Sequence, residues 1–163
     1  MESARRIDLG ITYLPVPHAG IEFTEVTRIH MNVFGLPRFR SMPRAERPFV
    51  VPLLPAVGTP SKVVGLDGWP DHRIDRRIQF RVTLMESALE LCRQGRAVAF
   101  LPDFVVRLHN EHVRAERKLV PLDSALPEQE RRQSVYLVQR RGMRESSLHR
   151  QVARSLRRLK APG

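Results

Sequence analysis

The sequence contains one cysteine, few aromatic residues and no long apolar run. Cys92 can form neither an intramolecular disulfide nor a thiolate zinc cluster, and its helix-spaced apolar neighbours predict a buried, unreactive thiol. Aromatic residues make up 6% of the chain, which disfavours a base-stacking platform for nucleic acid. Without a run of apolar residues long enough to span a bilayer, no transmembrane helix is expected.

The first residues also lack the pattern of a secretion signal. Glu2, Arg5 and Arg6 are charged, and no apolar stretch follows them. Together with the lone cysteine, this start predicts a cytoplasmic protein.

Complete catalytic or metal-binding motifs are missing as well. His109 and His112 stand three apart, but no third ligand is evident and the order differs from that of a metalloprotease helix. Asp71-His72 has neither a nucleophile elbow nor a serine partner. Gly58–Lys62 lacks the glycine before the lysine of a phosphate loop, and Pro60 stands where an amide donor is needed. We therefore expect no enzyme, no bound metal and no cofactor.

Positive charge is the strongest compositional feature that is present. The formal net charge is +11, and the segment from Arg131 to Lys160 contains a single acid, Glu145. Such a balance favours contact with nucleic acid or an acidic surface, although an exposed basic face explains it equally well. No helix-turn-helix is found, because the two clearest helices lie far apart in the sequence. Charge alone does not identify a DNA reader.

Alternating strand and helix patterns predict an α/β protein. Helical periodicity covers Thr83–Gln94 and Glu145–Leu159, and a further helix begins near Phe104. In the last helix, Leu148, Val152, Leu156 and Leu159 are expected to face inward. Ala97–Leu101 has the composition of a buried parallel strand. The other strands are predicted at Ile7–Leu14, within Glu22–Phe34, and at Phe49–Leu54, Lys62–Leu66, Arg77–Val82, Lys118–Leu122 and Ser134–Gln139.

One strand-to-helix junction has the features of a ligand-binding turn. Thr83 and Glu86 have the spacing of a capping box, and Gly95 stands where a left-handed residue ends the helix. The start of such a helix presents free backbone amides and the positive end of its dipole. Ligands of open α/β sheets collect at the carboxyl ends of the strands. Thr83 to Met85 are therefore candidates for contact with a small anionic ligand, and an ordinary capped core helix remains the alternative.

The order of several short motifs resembles a known family. Arg6–Ile11 (RIDLGI) is similar to the "lDlai" strand of LysR-type transcriptional regulators, and Leu91–Pro102 (LCRQGRAVAFLP) is similar to their "lvaaGlGiallP" segment. Lys118–Leu122 and Ser134–Val138 match later strands, and Trp69 stands where the family often has a tryptophan in a turn. The chain thus resembles the C-terminal effector-binding domain of these regulators over nearly its whole length.

The resemblance implies a fold and a division into parts. The fold would be α/β and similar to type II periplasmic binding proteins, with two α/β subdomains on either side of an effector cleft. Residues 1–24 and 123–163 would form the first subdomain, and residues 25–122 the second. The family's winged helix-turn-helix, linker helix and opening strand–helix units would precede Met1, so the first subdomain would be incomplete. Arg96-Ala97 departs from the family, which has a small residue and glycine there.

The resemblance also implies a function and a set of contacts. The chain would sense a small, anionic organic effector, bind DNA only through a separate N-terminal domain, form a homo-oligomer at full length and contact no membrane. Two alternatives stay open, a stand-alone solute-binding protein of the same fold and a basic nucleic-acid-binding protein acting through residues 131–160. The effector contacts implied by the family's cleft segments are Tyr13, Leu14, Thr59, Pro60, Ser61, Thr83, Leu84 and Met85.

Overall fold

The structure is a computed structural model and describes residues 9–13, 15, 18–53, 67–142 and 146–158. The predicted strand Lys62–Leu66 lies outside these residues. The chain divides into two compact units. Unit 1 comprises the described residues up to Ile29 and those from Arg132 onward, and unit 2 runs from His30 to Arg131. None of the helices described here is long and apolar enough to cross a membrane.

Strands and helices alternate as the sequence predicts, and short 3-10 turns join several of them. Residues 22–34 lie within one long strand, and the predicted strand Arg77–Val82 has the expected bounds. In chain order the elements are β1 (Gly10–Thr12), β2 (Ile21–Gly35), β3 (Pro48–Pro52), β4 (Arg77–Val82), α1 (Met85–Arg93), β5 (Ala99–Pro102), α2 (Asp103–Asn110), β6 (Val120–Leu122), β7 (Arg132–Arg140) and α3 (Ser147–Arg157).

Unit 1 is built on antiparallel strands. β1 pairs with β7, with Gly10 opposite Val138, and β7 lies beside β2 in the sheet. The rings of Phe23 and Tyr136 meet edge to face with centroids 6.5 Å apart, an arrangement that aromatic pairs prefer.

The helix α3 in unit 1 buries a face that overlaps the predicted one, since Val152 and Leu156 are half-buried as expected. Ser146 caps it in a capping box with His149, whose Nδ1 lies 2.6 Å from the Ser146 hydroxyl. The buried residues of α3 are His149 and Ala153, which are four residues apart and so lie on the same face of the helix. Leu148 is 56% exposed, so its prediction as an inward-facing residue is wrong. The cap places the imidazole on the buried face, which turns the neighbouring Leu148 towards solvent.

In unit 2 the second half of β2 lies between β5 and β6. Both neighbours are antiparallel to it, and Val33 faces Phe100 on one side and Leu122 on the other. The predicted burial of Ala97–Leu101 is confirmed, but the predicted parallel pairing holds for only one of its two neighbouring strands. This segment is antiparallel to β2 and parallel to β3, to which it is joined by a bridge between Phe49 and Val98.

The strands β3 and β4 form a parallel pair, against which α1 packs. The buried residues of α1 are Ala88, Leu89 and Cys92. Burial raises the pKa of the Cys92 thiol to about 12, because a thiolate is poorly solvated among apolar neighbours. The prediction of a buried thiol is confirmed, and the fold keeps it in the protonated, unreactive form at neutral pH.

Candidate functional site

Three strands of unit 2, β3 and β4 of one sheet and β5 of another, run in the same direction and end on the same side. β3 and β4 run in parallel with Pro52 opposite Val82, and the Leu53 amide donates to the Val82 carbonyl at 2.7 Å. The bridge between Phe49 and Val98 gives β5 the same direction. We call this region the carboxyl edge, and it comprises Leu53, Thr83 to Met85, and Asp103.

The helix α1 begins at the carboxyl edge without a side-chain cap. Leu84 is its N-cap residue, has an extended backbone and makes no capping hydrogen bond. The predicted capping box of Thr83 and Glu86 is therefore wrong. Pairing of Val82 with Pro52 and Leu53 keeps the chain extended up to Leu84, so the helix begins later than expected. Among the described residues no side chain caps the first amides of α1, as an anion-binding helix start requires.

Apolar side chains surround this helix start and remain exposed. Leu53 is 49% exposed, Leu84 60% and Met85 39%. Single exposed apolar residues are common, but here three of them lie at the carboxyl edge. The start of α1 thus has backbone amides beside exposed apolar side chains.

A polar cluster occupies the part of the carboxyl edge where α2 begins. The Asp103 carboxylate accepts hydrogen bonds from Asn32 Nδ2 at 2.9 Å and is paired with His30 Nδ1 at 2.8 Å. The other ring nitrogen of His30 lies 3.0 Å from a Glu128 carboxylate oxygen. Arg131 donates to both Asn32 and Glu128. Each ring nitrogen of His30 thus has a carboxylate oxygen within hydrogen-bonding distance.

Little in the amino-acid sequence predicts this cluster. His30 and Asn32 are two residues apart in β2 and therefore lie on the same face of the strand. Their partners lie about seventy to a hundred residues away in the chain. One local signal was available, since Asp103 directly follows a strand-ending proline and begins a helix. The rule that selected Thr83 to Met85 would also have selected Asp103.

The predicted contact residues have different placements. Thr83, Leu84 and Met85 lie together at the carboxyl edge. Tyr13 follows β1 in unit 1 and is half-buried. Leu14 and Thr59–Ser61 lie outside the described residues.

The far end of α1 and the predicted tryptophan turn agree with the sequence. Gly95 has a left-handed φ of 68°. The amides of Gly95 and Arg96 donate to the carbonyls of Cys92 and Leu91, and these two hydrogen bonds are those of a Schellman motif. The departure from the family at Arg96 thus leaves a tight turn in place. Trp69 is buried in a turn, and its Nε1 donates to the Ile74 carbonyl at 2.8 Å.

Solved structures with a similar fold include two regulatory domains and one full-length regulator. The MetR regulatory domain from N. meningitidis, as a mutant, has a TM-score of 0.59 and 18% identity, over 94% of this chain and 72% of that one. The CcmR regulatory domain from Synechocystis, in complex with 2-PG, gives 0.63 and 14%, over 94% and 74%. Full-length LysG from Corynebacterium glutamicum, with bound effector Arg, gives 0.56 and 18%, over 93% and 51%.

The family comparison agrees with these structures. This chain spans between about half and three quarters of their lengths, and no curated protein matches its sequence. The model of the LysR substrate binding domain matches residues 1–161. That family is regulatory rather than catalytic. The chain belongs to the LysR substrate binding domain family, the effector-binding domain of LysR-type transcriptional regulators, and has its fold, which is similar to that of type II periplasmic binding proteins.

Proposed function

We propose that this chain senses a small organic effector at the carboxyl edge of unit 2, through Thr83, Leu84 and Met85. The observation that carries the proposal is the coincidence of three parallel strand ends with an uncapped helix start. Ligands of α/β sheets bind at such edges, where backbone amides point outward.

The chemistry of the edge supports an anionic effector with a short carbon skeleton. Amides at the start of α1 and the positive end of its dipole favour a carboxylate or phosphate group. The exposed side chains of Leu53, Leu84 and Met85 can cover the carbon skeleton. Two similar regulators hold small ligands, 2-PG in CcmR and Arg in LysG, which makes organic acids and amino acids the first classes to test.

The rest of the proposal follows the family. Tyr13, Leu14, Thr59, Pro60 and Ser61 remain candidate effector contacts by resemblance. The regulator would bind DNA through a separate helix-turn-helix domain, assemble as a homo-oligomer and act in the cytoplasm, where its DNA lies. Effector binding would change transcription only if the effector favours one arrangement of the regulator over another.

The test is calorimetry of the chain with a panel of organic acids and amino acids. We expect one class to bind once per chain and to raise the unfolding temperature. Leu84→Glu places a carboxylate at the helix start and is expected to reduce affinity by at least about tenfold, roughly 1.4 kcal/mol. Leu108→Glu is the matched control, because Leu108 is similarly exposed but lies towards the other end of α2. Equal effects of the two substitutions, or no binding by any class, would refute the site.

A further inference from the structure

A cavity of about 380 Å³ lies at the opposite end of β3 and β4. We call this end the amino edge, and it comprises the turn before β3, the turn before β4 and the loop after β6. Its size falls within the range of small-molecule sites. The lining residues that matter here are Arg44, Ala45, Arg47, Phe49, Trp69 and Asp123.

Arg47 is a buried cation in the wall of this cavity. It is 4% exposed, and its Nε and Nη1 donate to the backbone carbonyls of Met42 and Asp123 at 3.1 and 2.7 Å. Within the described residues no carboxylate lies within 4.0 Å of it. The Asp123 carboxylate is exposed and is instead 3.8 Å from Arg44. Burial lowers the pKa of Arg47, and the attraction of the more distant Asp123 charge is smaller than this effect.

A second buried arginine near the cavity, Arg76, is paired with two carboxylates. Its guanidinium binds Asp67 through two hydrogen bonds and Asp71 through two more. Burial by itself lowers its pKa, but the bonds and charges of both carboxylates outweigh burial and raise it. A buried charge is costly when it lacks an ionic partner. Among the described residues Arg47 has two carbonyl partners and no carboxylate, whereas Arg76 has two carboxylates.

The remaining walls of the cavity specify the rest of the ligand. Phe49 and Trp69 contribute aromatic walls, their centroids 5.5 Å apart, and Val33 and Ile74 add apolar surface. A planar guanidinium binds a carboxylate through two parallel hydrogen bonds. We propose that this cavity is a second ligand site, which takes a small aromatic carboxylate whose carboxylate pairs with Arg47 and whose ring packs on Phe49 and Trp69.

The second site is physically separate from the carboxyl edge. The five residues of β3 lie between them, about 16 Å of extended chain. A ligand in the cavity would touch the turns that precede β3 and β4, and the carboxyl edge would keep its helix start free. The second site can therefore be tested independently of the proposed effector site.

The protein carries its own reporter for this cavity. Trp69 is the only tryptophan of the chain, so its fluorescence reports a change at the cavity wall. The experiment is a fluorescence titration with phenylacetate at constant ionic strength, with phenylacetamide, cyclohexylacetate and acetate as comparison ligands. We expect a saturable change with phenylacetate at concentrations up to about 10 mM, binding at least about tenfold weaker for the neutral amide, and weaker binding for the two acids that lack a ring.

Four variants locate the binding. Arg47→Met removes the cation and leaves no buried carboxylate unpaired, while Ala45→Phe keeps the cation and fills the cavity mouth. Each is expected to reduce phenylacetate affinity by at least about tenfold. Leu84→Glu at the carboxyl edge, and Arg114→Met at an exposed arginine away from the cavity, should leave it unchanged.

Three results would overturn the proposal. Phenylacetamide could bind as tightly as phenylacetate, Ala45→Phe could retain full affinity, or no saturable change could occur in the parent protein. Loss of phenylacetate binding in Leu84→Glu alone would place the ligand at the carboxyl edge, and this result also contradicts a second site.

Discussion

The two ends of the layer formed by β3, β4 and α1 are held in different ways. At the amino edge, Arg76 binds two aspartates and lies over the Trp69 ring, 5.5 Å from its centroid. There α1 also ends in a Schellman motif, and Arg38 donates to the Gly95 carbonyl. At the carboxyl edge, α1 begins without a side-chain cap beside the exposed Leu84.

This difference shows where unit 2 obtains its stability and where it remains open. Ion pairs and a closed helix end fix the amino edge of this layer, whereas at the carboxyl edge the start of α1 has no side-chain cap and the polar contacts lie at Asp103, where α2 begins. Binding regions are commonly drawn from the less stabilised parts of a fold. The following substitutions change each end in turn.

The largest effect is expected from Arg76→Met at the amino edge. Its side chain and that of Asp67 are both almost fully buried, so the substitution leaves a buried carboxylate without its partner. We expect the free energy of unfolding to fall by about 3–5 kcal/mol, measured by chemical denaturation. The double variant Arg76→Met with Asp67→Asn should recover part of this loss, because it removes both charges.

Asp71→Asn provides the control for the same ion pair. Asp71 is partly exposed, and we expect its loss to cost about 1 kcal/mol or less. If Arg76→Met cost no more than Asp71→Asn, the amino edge would not be held by its buried ion pair and the contrast between the edges would disappear.

Local patterns were enough to predict most of the fold. An apolar run predicted β3, the alternation of strand and helix patterns predicted the α/β class, and the glycine at position 95 predicted the end of α1. The ordered family motifs implied the fold similar to type II periplasmic binding proteins. Predictions went wrong where tertiary contacts decide between local options. Thr83 has the right spacing for a cap, but strand pairing at Val82 holds it outside the helix. Leu148 fits the apolar periodicity, but the His149 cap sets the buried face.

The candidate site was less accessible to sequence reasoning than the fold. Thr83 to Met85 could be selected because a strand end and a helix start are adjacent in the sequence. The pairing of His30 with Asp103 and Glu128 depends on how β2, α2 and the turn before β7 come together. The cavity beside Arg47 likewise needs three separate segments. No spacing in a single sequence encodes such contacts.

A smaller effect is expected from Gly95→Ala at the closed end of α1. The left-handed φ at this position disfavours any side chain, and a Cβ there would meet the Arg38 guanidinium. Left-handed strain alone costs about 1–2 kcal/mol in the free energy of unfolding, and we expect a loss above this value because of the Arg38 contact, with effector affinity at the carboxyl edge unchanged. Gly142→Ala is the matched control, since it has a similar φ of 79° but no neighbour that a Cβ would meet. A loss as large in Gly142→Ala would show that backbone strain alone is responsible, without the Arg38 contact.

The smallest effect, and the one that tests the open end directly, is expected from capping α1. Leu84 already has the extended backbone of an N-cap residue and its side chain is mostly exposed, so Leu84→Ser should add a capping hydrogen bond without disturbing the core. We expect the free energy of unfolding to rise by about 0.5–1 kcal/mol, and Leu84→Asp to give a similar or larger gain through the helix dipole. The two variants should differ in binding, because the aspartate places a negative charge where the effector's anionic group is proposed to lie. Denaturation and calorimetry on the same samples would show this: a stabilised Leu84→Asp variant that still binds the effector with full affinity would mean that the uncapped helix start is not the binding surface.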